Sequence, residues 1–154
     1  MKPLFILALS ILFSPAAAQE SAPSSPGEVH ISYTLYRIPK IASNQMAVWI
    51  EDRQGEYITT LFATRFMAKG GYKKRPDCCP EWVDSVLWAG IKQREIDALS
   101  GATQRAGDHT LVWDCTDHQG KPVSAGTYSI KIEGNIFWEN RVLWECGIEI
   151  GPRR

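Results

Sequence analysis

Apolar and polar residues alternate with a period of two over much of the chain, the pattern of strands buried on one face. Val29, Ile31, Tyr33 and Leu35 interleave with His30, Ser32 and Thr34. Met46, Val48 and Ile50 alternate with Ala47 and Trp49. Asp52-Arg53-Gln54-Gly55 then supplies a turn before residues 57–62, so a hairpin is expected there. Leu111 and Trp113 mark a further strand, followed by the tight-turn run Asp117-His118-Gln119-Gly120. Tyr128, Ile130 and Ile132 alternate after Gly126, and residues 142–150 close the series. Short strands at this spacing, with turns between them, predict a mainly β fold of the sandwich type.

One long segment, residues 66–108, departs from that period. Pro80-Glu81-Trp82-Val83 and Gln93-Arg94-Glu95-Ile96-Asp97 read as short helical pieces within it. The apolar Trp82, Val83, Val86, Leu87, Trp88 and Ile91 argue for order, and an ordered insertion of this length in a compact domain is usually functional. Because rigid scaffolds commonly carry their binding residues on such segments, the functional face is expected here.

The amino terminus changes the setting. Met1-Lys2 precedes an apolar run over residues 4–13, then Ser14-Pro15 and Ala16-Ala17-Ala18, which is the order of a secretory signal peptide cleaved after residue 18. The apolar run is too short for a permanent membrane span, and no cysteine follows the small residues to take a lipid. Residues 19–28, rich in Ser, Pro and Ala, read as a flexible leader to a single domain over residues 29–151. Without Lys2 the chain has 16 basic and 17 acidic residues, so neither nucleic acid nor an anionic membrane is expected as the main partner. No later stretch has the length and apolarity of a transmembrane helix, so any membrane association after export would go through a partner rather than by direct insertion.

Export also bears on the four cysteines, Cys78, Cys79, Cys115 and Cys146, since disulfides persist in oxidising compartments. A bond between the neighbours Cys78 and Cys79 would be strained, whereas Cys115 and Cys146 lie near strands. A Cys115–Cys146 disulfide is therefore expected. The spacing lacks the paired Cys-x-x-Cys of a zinc site, and His109 and His118 beside Asp114, Cys115 and Asp117 show no ligand spacing either, so no metal is expected. No nucleophile elbow, zinc-protease, haem-attachment or thioredoxin-type pattern occurs, and no catalytic residue is assigned. A redox carrier or binding module fits better than an autonomous enzyme.

Within the insertion, Asp97-Ala98-Leu99-Ser100-Gly101-Ala102-Thr103 resembles the flavinylation motif of FMN-binding domains, in which a flavin transferase esterifies the FMN phosphate onto the final hydroxyl. The resemblance implies that Thr103 is the acceptor, with Asp97, Ser100, Gly101 and Ala102 shaping its loop. Small residues before Thr103 would leave the approach of a nucleotide open. The same residues could instead end a helix begun near Lys92, with Gly101 as a left-handed cap. Arg65, Lys69, Lys73, Lys74 and Arg75 could neutralise a flavin phosphate or form a solvated basic face. Of six tryptophans, Trp82 and Trp88 lie in the insertion and are the stacking candidates for a flavin ring, with Tyr72 a third; most of the others are expected in the core.

Two wider resemblances follow. Trp113-Asp114-Cys115-Thr116-Asp117, Gly120-Lys121-Pro122-Val123 and Ala125-Gly126-Thr127-Tyr128 together resemble a hairpin of the immunoglobulin-like domain of flagellar hook-capping proteins. Glycine usually occupies the place of Cys115 in that pattern. This resemblance implies an immunoglobulin-like β-sandwich. Ala47-Val48-Trp49-Ile50-Glu51-Asp52, Thr60-Leu61-Phe62, Thr64-Arg65-Phe66, Ala68-Lys69-Gly70-Gly71, Arg75-Pro76-Asp77, Ser100-Gly101-Ala102-Thr103 and Asn140-Arg141-Val142-Leu143 resemble the predicted-periplasmic family called domain of unknown function 2271. That resemblance implies partnership with flavin transferases and membrane-embedded PepSY-type reductases, and so extracytosolic electron transfer. The four cysteines are departures from the family pattern. The expected function is a periplasmic electron-transfer flavoprotein carrying covalent FMN; the alternative is a cofactor-free periplasmic binding or assembly module that presents the insertion to a protein partner.

Overall fold

A computed structural model describes residues 27–36, 44–137 and 140–152 of the chain. The expected signal peptide (1–18) and most of the expected leader (19–28) lie outside the described residues. Among the described residues, seven strands form two sheets. In chain order they are β1 (Val29–Leu35), β2 (Gln45–Asp52), β3 (Tyr57–Thr64), β4 (Ser100–Gly101), β5 (Gly107–Trp113), β6 (Gly126–Phe137) and β7 (Asn140–Ile150). Strands β1 and β5 pair antiparallel as a ribbon, from Val29 opposite Trp113 to Leu35 opposite Gly107. The larger sheet has the order β4-β3-β2-β6-β7 and is antiparallel except for the β3–β4 pair. The two sheets stack in a sandwich-like arrangement, as the alternation predicted.

Strand β2 is the centre of the molecule because both of its faces are covered. Met46, Val48 and Ile50 join Ile31, Phe62, Trp113, Tyr128 and Ile130 in the core between the sheets. On the opposite face Ala47 and Trp49 join Ala63, Met67, Cys79, Trp82, Val86 and Ile96 in a second core beneath the helices. The near-continuous apolar run of β2 is what such two-sided burial requires. The turn after β2 is fixed by Asp52, whose Oδ1 accepts the amide hydrogens of Gln54 and Glu56.

The expected insertion forms the helical layer: α1 (Arg65–Ala68), a 3-10 turn (Gly71–Lys73), α2 (Pro80–Trp88) and α3 (Gln93–Ala98). Pro80 opens α2, where its missing amide hydrogen costs nothing. Trp82 and Val86, one turn apart, bury the same face. Strand β6 bolts this layer to the sheet through its odd-numbered side chains. Lys131 pairs at 2.7 Å with Glu51 of β2, whose Oε1 accepts the Ser85 hydroxyl of α2 at 2.7 Å, and the fully buried Glu133 takes Arg141 Nε at 2.6 Å and the Trp82 amide at 3.0 Å. Asn135 accepts Arg75 Nη2 at 3.0 Å and donates to the Asp77 carbonyl.

The expected Cys115–Cys146 disulfide is not formed; all four cysteines are free thiols. The reason is orientation: Cys115 is buried in the core between the sheets, whereas Cys146 is exposed on the outermost strand. A bridge needs the two Cβ atoms within about 4.5 Å of each other. Cys115 also has φ +56°, a left-handed conformation that glycine adopts freely, which accounts for the glycine at that place in the hook-capping pattern. Cys78 and Cys79 are buried in the second core, and burial pushes both thiols above their ordinary range.

Candidate functional site

Residues 97–103 connect the helical layer to the β1–β5 ribbon. Helix α3 ends at Ala98, and Ser100 Oγ donates to the Asp97 carbonyl at 2.8 Å, closing that end. The next two residues, Ser100 and Gly101, form β4 against Ala63 and Thr64. Gly101 is therefore not the left-handed helix cap that the sequence allowed; Leu99 is the cap residue, with φ −91°. Glycine is needed at 101 for another reason. A Cβ there would come within 2.4 Å of Phe62 Cε2.

Thr103 is exposed in the loop that follows, and its neighbours are held on the other side. Gln104 Oε1 accepts a 2.7 Å hydrogen bond from the Tyr33 hydroxyl on β1. The Arg105 carbonyl lies 2.8 Å from His109 Nε2, and the His109 ring stacks on Tyr33 at 5.6 Å between centroids. An accessible hydroxyl thus sits between two anchored points. That is the geometry a modifying enzyme and a bulky nucleotide both require. Arg65, the first residue of α1, and Lys69, which caps its end, are exposed; α1 begins directly after the Thr64–Gly101 pair and touches β4. The rest of the basic run is less uniform: Lys73 and Lys74 are exposed, while Arg75 is engaged by Asn135 and lies over the Phe66 ring at 6.0 Å.

Beside the Thr103 loop, a cavity of about 790 Å³ opens between β1 and the larger sheet. Gln104 lines it, together with Tyr33, Leu35, Met46, Ile132 and Trp144. Its size falls within the range of small-molecule sites, about 300–1,000 Å³, and its walls are mainly apolar with amides at the rim.

The aromatic residues singled out from the sequence lie elsewhere. Trp82 is fully buried in the second core and donates its Nε1 hydrogen to Thr60 Oγ1 at 3.0 Å. Trp88 is 85% exposed and borders an open depression with Gly55, Tyr57 and Leu87. Tyr72 is half-buried against the second core. None of the three lines the cavity beside Thr103. Among the described residues, the aromatics lining the cavity are Tyr33, Tyr36, Phe62 and Trp144. The sequence offered one signal for this site, a glycine at position 134 inside an alternating strand.

Residues 28–153 match the family model described as "Predicted periplasmic protein (DUF2271)". The chain belongs to the DUF2271 family. This membership agrees with the expected periplasmic location. No curated protein matches the chain. Among the described residues of this DUF2271 protein, no helix is long and apolar enough to cross a membrane. The family match spans both sheets, the helical layer and the Thr103 loop.

Proposed function

We propose that this DUF2271 protein is a periplasmic electron carrier holding FMN as a phosphoester of Thr103. A flavin transferase would load it, and a membrane-bound PepSY-type reductase would exchange electrons with it. The observation that carries this reading is the combination of an acceptor-type sequence with an exposed Thr103 hydroxyl, anchored on both sides and bordered by a ligand-sized cavity. In loading, Thr103 Oγ forms a bond to the FMN phosphorus of FAD while the pyrophosphate bond breaks. AMP leaves, and the hydroxyl proton is released.

The bound flavin supplies the redox chemistry, and the protein supplies attachment, orientation and electrostatics. β4 fixes one end of the acceptor loop through its pairing with β3. Gln104 fixes the other through Tyr33. The Arg65 and Lys69 charges at α1 favour an anionic phosphate on this side of the sheet. Covalent attachment suits a carrier outside the cytoplasm, where a cofactor lost by dissociation is not readily replaced.

The test is the intact mass of the exported protein after co-expression with a flavin transferase. The wild type gains one FMN less one water and Thr103→Ala gains nothing, while Thr103→Ser retains the gain. An unmodified wild type, with the transferase active on a control substrate, refutes the carrier reading and leaves the cofactor-free binding module.

A further inference from the structure

We infer that the cavity between β1 and the five-stranded sheet is the resting place of the isoalloxazine ring, and that Gly134 is the slot in its floor that admits a flat ring. This inference rests on attachment of FMN at Thr103. It goes further by assigning the ring a binding site made by residues remote from the acceptor sequence.

The floor consists of two cross-strand rows on one face of the larger sheet. In the first, Met46 of β2, Gly134 of β6 and Val142 of β7 are direct partners. In the second, Phe62 of β3, Ile132 of β6 and Trp144 of β7 line the cavity, with Val48 of β2 buried in the row between Phe62 and Ile132. All positions but one carry an apolar side chain. Gly134 breaks the floor at its middle, and neither backbone conformation nor crowding requires glycine there. It is not among the glycines with positive φ, and a Cβ at 134 would meet nothing nearer than the Gln45 carbonyl oxygen at 4.0 Å. Glycine within a strand costs about 0.5–1 kcal/mol relative to alanine. A glycine at that cost, in the floor of a cavity, leaves room for a ligand to approach the backbone closely.

Tyr33 and Leu35 of β1 wall the other side, and Trp144, 56% exposed, stands where its ring can face an occupant. Asn44 and Gln104 bring amides to the same cavity, the donor and acceptor types that the pyrimidine edge of a flavin needs. The tether has the right origin, because Thr103 immediately precedes Gln104. The ribityl phosphate arm separates the ring from its ester, so the ester at Thr103 can stay exposed while the ring is buried.

Two measurements on the flavin-loaded protein test the inference, each beside the intact mass. Flavin fluorescence is expected to be quenched severalfold in the folded protein compared with the flavinyl peptide released by proteolysis, because flanking tyrosine and tryptophan rings quench the excited ring. Gly134→Leu, which fills the slot, is expected to keep the mass gain, recover most of the fluorescence and lose the visible circular dichroism of an immobilised flavin. Trp144→Ala changes an exposed side chain and provides a second variant should Gly134→Leu not fold; it is expected to raise the fluorescence while leaving far-ultraviolet circular dichroism unchanged. Full mass gain with fluorescence equal to that of the peptide, or with quenching indifferent to both variants, places the ring outside the cavity and overturns the inference while sparing attachment at Thr103. Absence of any mass gain in the wild type removes attachment and the ring site together.

Discussion

Gly101 rests against the Phe62 ring so closely that a β-carbon would lie 2.4 Å from Phe62 Cε2. This contact ties the Thr103 loop to the core between the sheets, since Phe62 is buried there beside Val48. Gly101→Ala must move the ring or the loop. Overpacking of this kind costs about 1–3 kcal/mol. The expected result is a lower urea midpoint together with slower loading of Thr103 by a flavin transferase. Wild-type stability and loading in the alanine variant would show that the contact has no consequence.

Glu51 gives the fold a measurable dependence on acid. Burial raises its carboxyl pKa, but hydrogen bonds from Lys131, Trp49 and Ser85 and the Lys131 charge outweigh burial and hold it below the ordinary carboxylate range. A depressed folded-state value means that the stabilisation is complete above the unfolded value near 4.5 and disappears as pH falls through the lower folded value. Lys131 acts at the other extreme. Desolvation lowers its value, the Glu51 contacts raise it further, and the net increase means stabilisation present below about 10.5 and lost as pH rises through the folded value. Urea titrations at neutral and acidic pH are expected to show a smaller acid-induced loss for Glu51→Gln than for the wild type. Equal losses would rule out this carboxylate as a source of the dependence.

Arg141 bridges Glu133, which is wholly buried, to Glu81 on α2. Removing the cation leaves the Glu133 carboxyl in the interior without its charged partner. Arg141→Met is expected to destabilise by about 3 kcal/mol, the lower end for a broken buried pair, because the arginine itself is partly exposed. The pairing of Arg141 with Glu133 and that of Lys131 with Glu51 are linked through Glu81, whose charge acts on both cations, so the Arg141→Met and Glu51→Gln losses should not simply add. A double variant whose loss equals the sum of the two single losses would contradict that coupling.

Cys115 is buried with φ +56°. A β-branched residue keeps the apolar volume but tolerates the left-handed region poorly, at about 1–2 kcal/mol. Cys115→Val is therefore expected to unfold at lower urea than Cys115→Gly, reversing the order usual for a buried site. A more stable valine variant would mean that packing outweighs backbone conformation here.

Period-two alternation identified β1 and β5 because one face of each lies against the core between the sheets and the other is less buried, whereas β2, covered on both faces, showed as a near-continuous apolar run. It also located the helical insertion, whose Pro80 and the spacing of Trp82 and Val86 are local signals. The pieces that escaped depend on contacts far apart in the chain. Strand β4 is only Ser100 and Gly101, and it exists because the end of β3 offers an unpaired edge. Trp82 looked available for stacking, yet α2 folds its ring onto Thr60 and Trp49 fills the neighbouring core. Spacing could not reveal that Cys115 and Cys146 face different environments. The cavity was equally hidden, since β1 forms its wall only by pairing with β5, more than 70 residues later. Thr103 could be singled out as a candidate acceptor from local sequence alone; its neighbourhood could not.

Strand β6 works as a bulkhead. Ile132 and Gly134 look into an oily chamber, while Lys131, Glu133 and Asn135, the residues between and beside them, clamp the helical layer: Lys131 by way of Glu51 and Ser85, Glu133 at Trp82 and Asn135 at the segment before α2. Neighbouring positions along one strand therefore answer to different demands. A change at an even position can reshape the chamber without loosening the clamp, and a change at an odd position can loosen the clamp without reshaping the chamber. The tuning of whatever occupies the chamber and the durability of the scaffold can vary separately, one residue apart.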